Sequence, residues 1–276
     1  MSSRTILVTG CSSGIGRHSA LRLAQDGWRV FATARTDADL AALEAEGLEA
    51  LRLDYAKTDT IHAAMDTVLE RTDGRLDALF NNGAYGQPGA VEDLTTDLLR
   101  AQFEANFFGW HELTRRAVPI MRARGAGRIV HCSSILGFVP YRWRGAYNAS
   151  KHALEGLFLT QRMELMGSGI HMSLIEPGPI RSRFTENALR NLTGNIDLKG
   201  SVHAERYAAY LARLKDNGGP NRFRLEPEAV YAKLDHALNA PRPRAQYPVT
   251  IPSHFMAWAR GIAPQWLMDR LLTGSD

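Results

Sequence analysis

Short runs of Val, Ile, Leu and Phe recur along the first 180 residues, each followed by a longer stretch in which apolar positions return every three or four residues. The runs lie at Thr5 to Val8, Arg29 to Thr33, Glu49 to Leu53, Leu76 to Phe80, Arg128 to Cys132 and His171 to Ile175. Apolar residues on both faces of a short run mark a strand covered on two sides, and the helical period between runs supplies the covering layers. Strands alternating with helices predict an α/β fold, a doubly wound parallel sheet. No repeat or low-complexity linker interrupts the pattern, so residues 1–276 are expected to form a single domain.

After Pro177-Gly178-Pro179 the pattern changes to a polar, turn-rich stretch reaching Pro227, with Phe184, Leu192, Tyr207 and Tyr210 among many charges. Residues 178–227 are expected to be an elaborated substrate loop with short helices. A C-terminal extension follows: a helix from about Glu228, an extended segment from Tyr247 to Ile251, and a Trp-bearing helix from Trp258 to Leu272. The stripe Phe255, Trp258, Ile262, Trp266 and Leu267 is read as a lid or core-packing face in preference to one resting on a membrane.

The segment TGCSSGIGR at 9 to 17 joins the first predicted strand to the first predicted helix. Glycine there permits a tight turn and a closer approach than a Cβ allows, while free N–H groups at the helix start attract pyrophosphate. Gly10, Ser12, Ser13, Gly14, Ile15 and Gly16 are therefore expected to hold a dinucleotide; the competing reading is a glycine turn with no ligand. Ser12 and Ser13 either donate to phosphate oxygens or cap the helix. The second strand ends in Ala34 and Arg35, where an NAD site carries an acid for the ribose hydroxyls. With no carboxylate there, and a guanidinium able to pair with the extra phosphate, NADP(H) is the preferred cofactor and NAD(H) the alternative. In that alternative Arg35 is solvated and Asp37 or Asp39 reaches the ribose, although both are better placed to begin the next helix.

In YNASK, Tyr147 and Lys151 are four residues apart, hence about 6 Å along a helix axis and on one face. A phenol that titrates near pH 10 needs about 4 kcal/mol of help to ionise at neutrality. One positive charge at about 5 Å, with an effective dielectric of 20, supplies roughly 3 kcal/mol. Tyr147 is thus a candidate acid/base primed by Lys151. Ser134, at the carboxyl edge of the strand ending at Cys132, can donate to a substrate oxygen. Asn106 lies on a stripe with Phe103, Phe107 and Trp110 in a long helix from about Thr96, where a buried amide needs partners. Alone it would be a structural residue; the coincidence of all four makes them catalytic candidates.

Charge narrows the partners. The 33 basic and 29 acidic residues leave a net charge of +4 without basic runs, so the pI of 9.2 gives little support to a nucleic-acid partner. Cys11 and Cys132 are far apart and outside any CxxC pair, so buried free thiols are expected and no metal site. The first strand-like run begins at Thr5, and no 18-residue apolar stretch occurs, so a cytoplasmic location is expected. The glycosylation patterns at Asn148 and Asn191 then carry no meaning.

Together these residues resemble the short-chain dehydrogenase/reductase family, in its shorter single-domain branch. The resemblance rests on TGCSSGIG at 9 to 16, Asp54 after the third strand, NNGA at 81 to 84, Asn106, Ser134, YNASK at 147 to 151 and PGPIRS at 177 to 182. It implies a Rossmann fold and reversible hydride transfer between a nicotinamide and a carbonyl or secondary alcohol carbon. It implies Tyr147 as proton donor and acceptor, Lys151 as the group that binds the nicotinamide ribose and lowers the phenol's pKa, and Ser134 as the group polarising the substrate oxygen. Asn106 would hold a water that relays protons through Lys151. Asp54 is implied at adenine, Asn81, Asn82, Gly83 and Ala84 along the adenosine side, Pro177, Gly178 and Ile180 against the nicotinamide, and Ser182 near its carboxamide or the phosphates. Two positions depart from the pattern: NNGA replaces the more frequent NNAG, and Tyr55 stands where a small apolar residue usually follows the acid.

The wording SLIEPGPI and ASKHALEG is most similar to steroid and retinol dehydrogenases and their bacterial relatives. The C-terminus lacks the valine-plus-paired-glycine ending of acyl-carrier-protein reductases. With Phe138, Val139, Tyr141 and Trp143 expected beside the reaction centre, the implied substrate is a hydrophobic carbonyl or alcohol. Family members pair through the helices carrying Asn106 and Tyr147, which implies a homodimer or homotetramer. The alternative from a different class is a non-catalytic nucleotide-sensing protein on the same fold, against which the complete Asn106, Ser134, Tyr147 and Lys151 set argues.

Overall fold

Seven parallel strands make one sheet in the computed structural model, which describes residues 3–215 and 223–273. They are β1 (Thr5–Val8), β2 (Arg29–Ala34), β3 (Glu49–Arg52), β4 (Ala78–Asn81), β5 (Gly127–Cys132), β6 (Ile170–Glu176) and β7 (Gln246–Pro248). Their spatial order is β3-β2-β1-β4-β5-β6-β7. Every residue of β1 and β4 is buried, which is why these runs are apolar without alternation. The winding reverses between β1 and β4, and at such a switch point a crevice opens beyond the carboxyl ends of the strands.

Helices α1 (Gly14–Gln25), α2 (Asp37–Ala45), α3 (Thr58–Arg71), α4 (Thr96–Phe103), α5 (Gly109–Ala123) and α6 (Gly145–Glu164) connect the first six strands. Asp37 and Asp39 do begin α2: the Thr36 hydroxyl accepts the Asp39 N–H at 3.2 Å, and both carboxylates lie in the first turn, where the helix dipole favours them. The long helix expected from Thr96 is interrupted. Glu104–Phe108 form a wide π turn between α4 and α5.

In the C-terminal third the structure gives bounds to the helices of the 178–227 region and corrects three expectations beyond it. Residues 178–227 hold two regular helices, α7 (Phe184–Asn195) and α8 (Ala204–Lys215), and residues 216–222 of that region lie outside the described ones. After α9 (Glu228–Asn239) and β7, the single helix expected from Trp258 is two: α10 (Ile251–Ala259) and α11 (Gln265–Thr273). Thr250 caps α10 and Pro252 fits its first turn, so the helix starts early and takes in Ile251, expected to be extended. Pro264 precedes α11, where a missing N–H does no harm. The stripe is not core-packing. Trp258, Ile262 and Trp266 are exposed, and the same helices turn Met256, Ala259 and Met268 inward.

Packing follows this division. One large core surrounds the sheet, with Leu7, Phe31, Phe80, Trp110 and Phe158 excluded from solvent. Two small clusters support the C-terminal elements: Phe138 and Val139 with Met256, Ala259 and Met268, and Ala90 with Leu192, Ile196 and Tyr207. No helix among the described residues is long and apolar enough to cross a membrane.

Candidate active site

A cavity of about 720 Å³ runs from the glycine loop, past Tyr147, to α10 and α11. At its first end the turn after β1 depends on glycine. Gly10 (φ +68°) and Gly14 (φ +57°) are left-handed, and a Cβ on Gly16 would lie 2.2 Å from the Gly10 carbonyl oxygen. Ser13 precedes α1 without making a capping bond, so its hydroxyl, like that of Ser12, is available to the cavity both line. A Cβ on Gly14 would stand 2.8 Å from that of Ser182, so Ser182 packs against the glycine turn. The loop is braced from behind by Asn82, whose amide donates to the Thr9 and Gly10 carbonyls at 3.1 and 3.4 Å.

Ala34, Arg35, Asp39 and Asp54 line the end of the cavity where adenosine is expected. The two aspartates weighed for the ribose are engaged locally. Asp37 pairs with Arg52, and Asp39 accepts from the Thr36 hydroxyl at 2.7 Å. Among the described residues the Arg35 guanidinium is given no such partner and stands exposed at the cavity wall.

The two departures from the family pattern explain each other. The Tyr55 ring lies under Gly83, where a Cβ would meet its edge at 3.1 Å; the alanine of the commoner order would crowd it. The Tyr55 hydroxyl is 2.7 Å from that of Thr9 and donates to Asn81 Oδ1 at 2.6 Å. Asn81 is therefore corrected as a cofactor residue. It is fully buried, also donates to Thr114 Oγ1 at 3.1 Å and Nδ1 of His131 at 3.2 Å, and does not line the cavity. Asn82, Gly83 and Ala84 do line it.

At the centre, Tyr147 and Ser134 face the cavity from α6 and from the turn after β5. Ser134 accepts from Leu136 N–H at 3.1 Å, which fixes its hydroxyl oxygen. Lys151 lies behind Tyr147 rather than in the cavity. Its ammonium donates to the Cys132 carbonyl at 2.9 Å, sits 4.2 Å from the centre of the Trp110 ring and 5.7 Å from that of Tyr147. Burial pushes Lys151 down to about 8. The same burial raises the Tyr147 phenol, and the Ser134 hydroxyl and Arg144 guanidinium beside it pull it part of the way back. Burial is the largest influence on the phenol, with the Lys151 ammonium 5.7 Å from the centre of its ring.

Asn106 does not reach the cavity either. The π turn aims its amide at the loop after β4, where Oδ1 accepts Tyr85 N–H and Nδ2 donates to Tyr85 C=O, both at 2.8 Å. Nδ2 also reaches Ser150 Oγ at 3.3 Å, so the side chain clamps a loop instead of presenting itself to a ligand. Gln102, one turn earlier, holds Gln87 N–H at 2.8 Å in the same way. Sequence reading missed Gln102, Tyr85 and Arg144; the last stood in view three residues before Tyr147.

The far wall is apolar in part. Leu136, Val139, Phe184, Pro252, Met256 and Leu272 face the cavity, and the Phe184 ring is 5.3 Å from that of Tyr147. Tyr141 also lines it. Phe138 and Trp143, expected there, do not: Phe138 packs under α10, and Trp143 packs on Tyr207 at 5.4 Å. Pro177, Gly178 and Ile180 line the middle, and a Cβ on Gly178 would strike the Thr250 hydroxyl at 2.2 Å, so the turn after β6 is seated on the start of α10. Both cysteines are buried free thiols, Cys11 pushed up to about 12 and Cys132 to about 11.

A glycine turn shaped for close backbone approach, with two hydroxyls and a cation beside it, fits the phosphates and ribose of a dinucleotide. With a tyrosine and a serine hydroxyl on the same cavity, these features fit a dinucleotide-dependent oxidoreductase on a doubly wound sheet. Comparison with known proteins agrees. A profile of the short chain dehydrogenase family matches residues 4–192. The chain is 38% identical over 271 residues to the uncharacterized oxidoreductase YbbO of Escherichia coli K12, covering 98% of this chain and 94% of that one. It is 34% identical over 263 residues to 17-beta-hydroxysteroid dehydrogenase type 1 of Homo sapiens, covering 90% and 77%. Its structure is similar to that of a short-chain dehydrogenase from Streptomyces avermitilis, with a TM-score of 0.77 and 28% identity over 100% and 99% of the two chains. The chain belongs to the short-chain dehydrogenase/reductase family and is an NAD(P)-dependent dehydrogenase/reductase.

Proposed function

We propose that the protein reduces a carbonyl, or oxidises the matching secondary alcohol, of a substrate with a hydrophobic body, using NADP(H) in preference to NAD(H), with Tyr147 as proton donor and acceptor. The observation that carries this reading is the single cavity shared by the glycine turn, Ser134, Tyr147 and an apolar helical wall. A bound nicotinamide supplies or accepts the hydride. Ser134 holds the substrate oxygen, and Tyr147 gives it a proton in reduction and takes one from the alcohol in oxidation. Lys151 keeps a positive charge behind the phenol below about pH 8. Asn106 contributes by fixing the Tyr85 loop against the cofactor cleft.

Support for NADP(H) is the absence of an acid at Ala34 and the exposed guanidinium of Arg35 at the adenosine end. Gly10, Ser12, Ser13, Gly14, Ile15, Asp54, Asn82, Gly83, Ala84, Gly178, Ile180 and Ser182 complete the proposed cofactor contacts, all on the cavity wall. Self-association is proposed through the π turn before α5 and the outer side of α6, where Phe108 and Met163 stand exposed. The test is Tyr147→Phe. Carbonyl-dependent NADPH oxidation should fall by about 10³-fold while the NADPH dissociation constant, followed by nucleotide fluorescence, changes less than twofold. Retained turnover would remove Tyr147 from the chemistry.

A further inference from the structure

Next to the reacting phenol the cavity carries a cation without an anion. Arg144 precedes α6, three residues before Tyr147, lines the cavity and is half-buried. Its guanidinium gives one hydrogen bond, from Nη2 to the Tyr210 hydroxyl at 2.8 Å. Among the described residues no carboxylate pairs with it, and the acids on the cavity wall, Asp39 and Asp54, are at the adenosine end. Its charge is felt at Tyr147, where it favours the ionised phenol.

The backbone delivers it there at a cost. Trp143, immediately before, is a bulky residue at φ +62°, in the left-handed region. It is held there by its ring contacts with Tyr207 and His203 and by the Gly89 N–H, which donates to its carbonyl at 3.0 Å. Strain kept in place by surrounding structure marks functional turns. A guanidinium has five N–H donors in a rigid fork, and one neutral hydroxyl leaves most of them to the cavity. A cation half-removed from water is best satisfied by a carboxylate, which takes two parallel hydrogen bonds from the fork.

We propose, resting on the oxidoreductase reading above, that the substrate is amphiphilic: a carbonyl compound whose apolar body lies on Val139 and Met256 and whose carboxylate is received by Arg144 within about one helical turn of the reacting carbon. Arg144 and Tyr147 stand three residues apart at the start of α6 and line the same cavity, which argues for a short spacer between carboxylate and carbonyl. Arg144 is then the residue that selects among carbonyls, and Tyr147 the one that acts on them.

The experiment uses linear oxo acids with two to five methylenes between ketone and carboxylate, each against its methyl ester, with saturating NADPH. For at least one chain length the wild-type enzyme should prefer the acid about 30-fold in kcat/KM, the scale of a charge-assisted hydrogen-bond pair. Arg144→Met should lower kcat/KM for that acid about 30-fold, mainly through KM, and for its ester by no more than threefold. Arg144→Lys should retain part of the preference. Acids and esters consumed alike by the wild type would overturn the proposal while leaving the oxidoreductase reading intact, and this arm does not depend on any variant folding. Equal slowing of both by Arg144→Met, with both pH profiles moved alike, would also overturn it by reducing Arg144 to an influence on the phenol. No NADPH or NADH consumption with any acid, ester or simple aldehyde would overturn both readings.

Discussion

The two walls of the cavity are built from different materials. On the nucleotide side, strand ends and a glycine turn rest directly on the main core, and backbone approaches backbone so closely that a Cβ on Gly10 would sit 2.5 Å from the Gly83 Cα. On the substrate side, α7, α10 and α11 rest on two small clusters, and the outer faces of α10 and α11 leave Trp258 and Trp266 in solvent. The first wall is defined by what it excludes. The second is defined by which side chains happen to meet across it, so it can be revised without disturbing the sheet.

That contrast can be broken most directly with a matched pair of variants. Gly10→Ala places a methyl group against backbone that cannot move aside and forces a side chain into φ +68°, so NADPH binding should weaken more than 100-fold and the melting temperature should fall. Met256→Ala, on the opposite wall, should leave the NADPH dissociation constant within threefold and act on the KM of a hydrophobic carbonyl instead. Equal loss of NADPH affinity in the two variants would show that the walls are not independent.

A smaller effect sharpens the nucleotide side. Arg35→Asp replaces a phosphate partner by a ribose acceptor and should shift the NADPH-to-NADH ratio of kcat/KM toward NADH by roughly 30-fold. An unchanged ratio would return cofactor choice to other residues, Asp39 first.

The smallest expected effect concerns the sheet behind both walls, and pH. At the end of β6, Glu176 is 1% exposed, burial and the neighbouring Glu155 raise it from 4.5 to about 8, and Gln246 donates to it at 2.5 Å. The folded protein therefore keeps a proton that the unfolded chain has already lost between these two values. Stability should fall as pH rises from about 4.5 to about 8, and the melting temperature with it, on the order of 5 °C. Glu176→Gln should flatten that slope in differential scanning fluorimetry. A slope unchanged by the substitution would assign it to other groups.

Legibility in the sequence divided along the same line. The strands and the glycine turn were readable because a doubly covered strand is apolar at every position and a left-handed turn admits little but glycine. Which of two adjacent asparagines serves the cleft was not, since NNGA does not state where β4 ends. Asn81 is its last residue and turns into the core, and Asn82 is the first to escape. Tyr55 and Gly83 each looked like an isolated departure, and only their contact across 28 positions of sequence explains them. The length of α7 and the split between α10 and α11 were hidden for a related reason. Short amphipathic segments among many charges show a weak period, and their burial comes from distant partners: Ala90 for Leu192 of α7, and Phe138 and Val139 for Met256 and Met268 of α10 and α11.

The wide turn at Glu104–Phe108 carries a consequence for how this chain can vary. One residue beyond an unbroken α-helix rotates everything after it by about 100°, so the side of α5 that meets the sheet is set by the number of residues in the turn rather than by their identity. Exchanging the exposed Phe108 for another large side chain alters a surface. Deleting it would swing Trp110 away from the Lys151 ammonium and loosen the Asn106 clamp in one step, which makes this stretch intolerant of gaps even where it accepts substitutions.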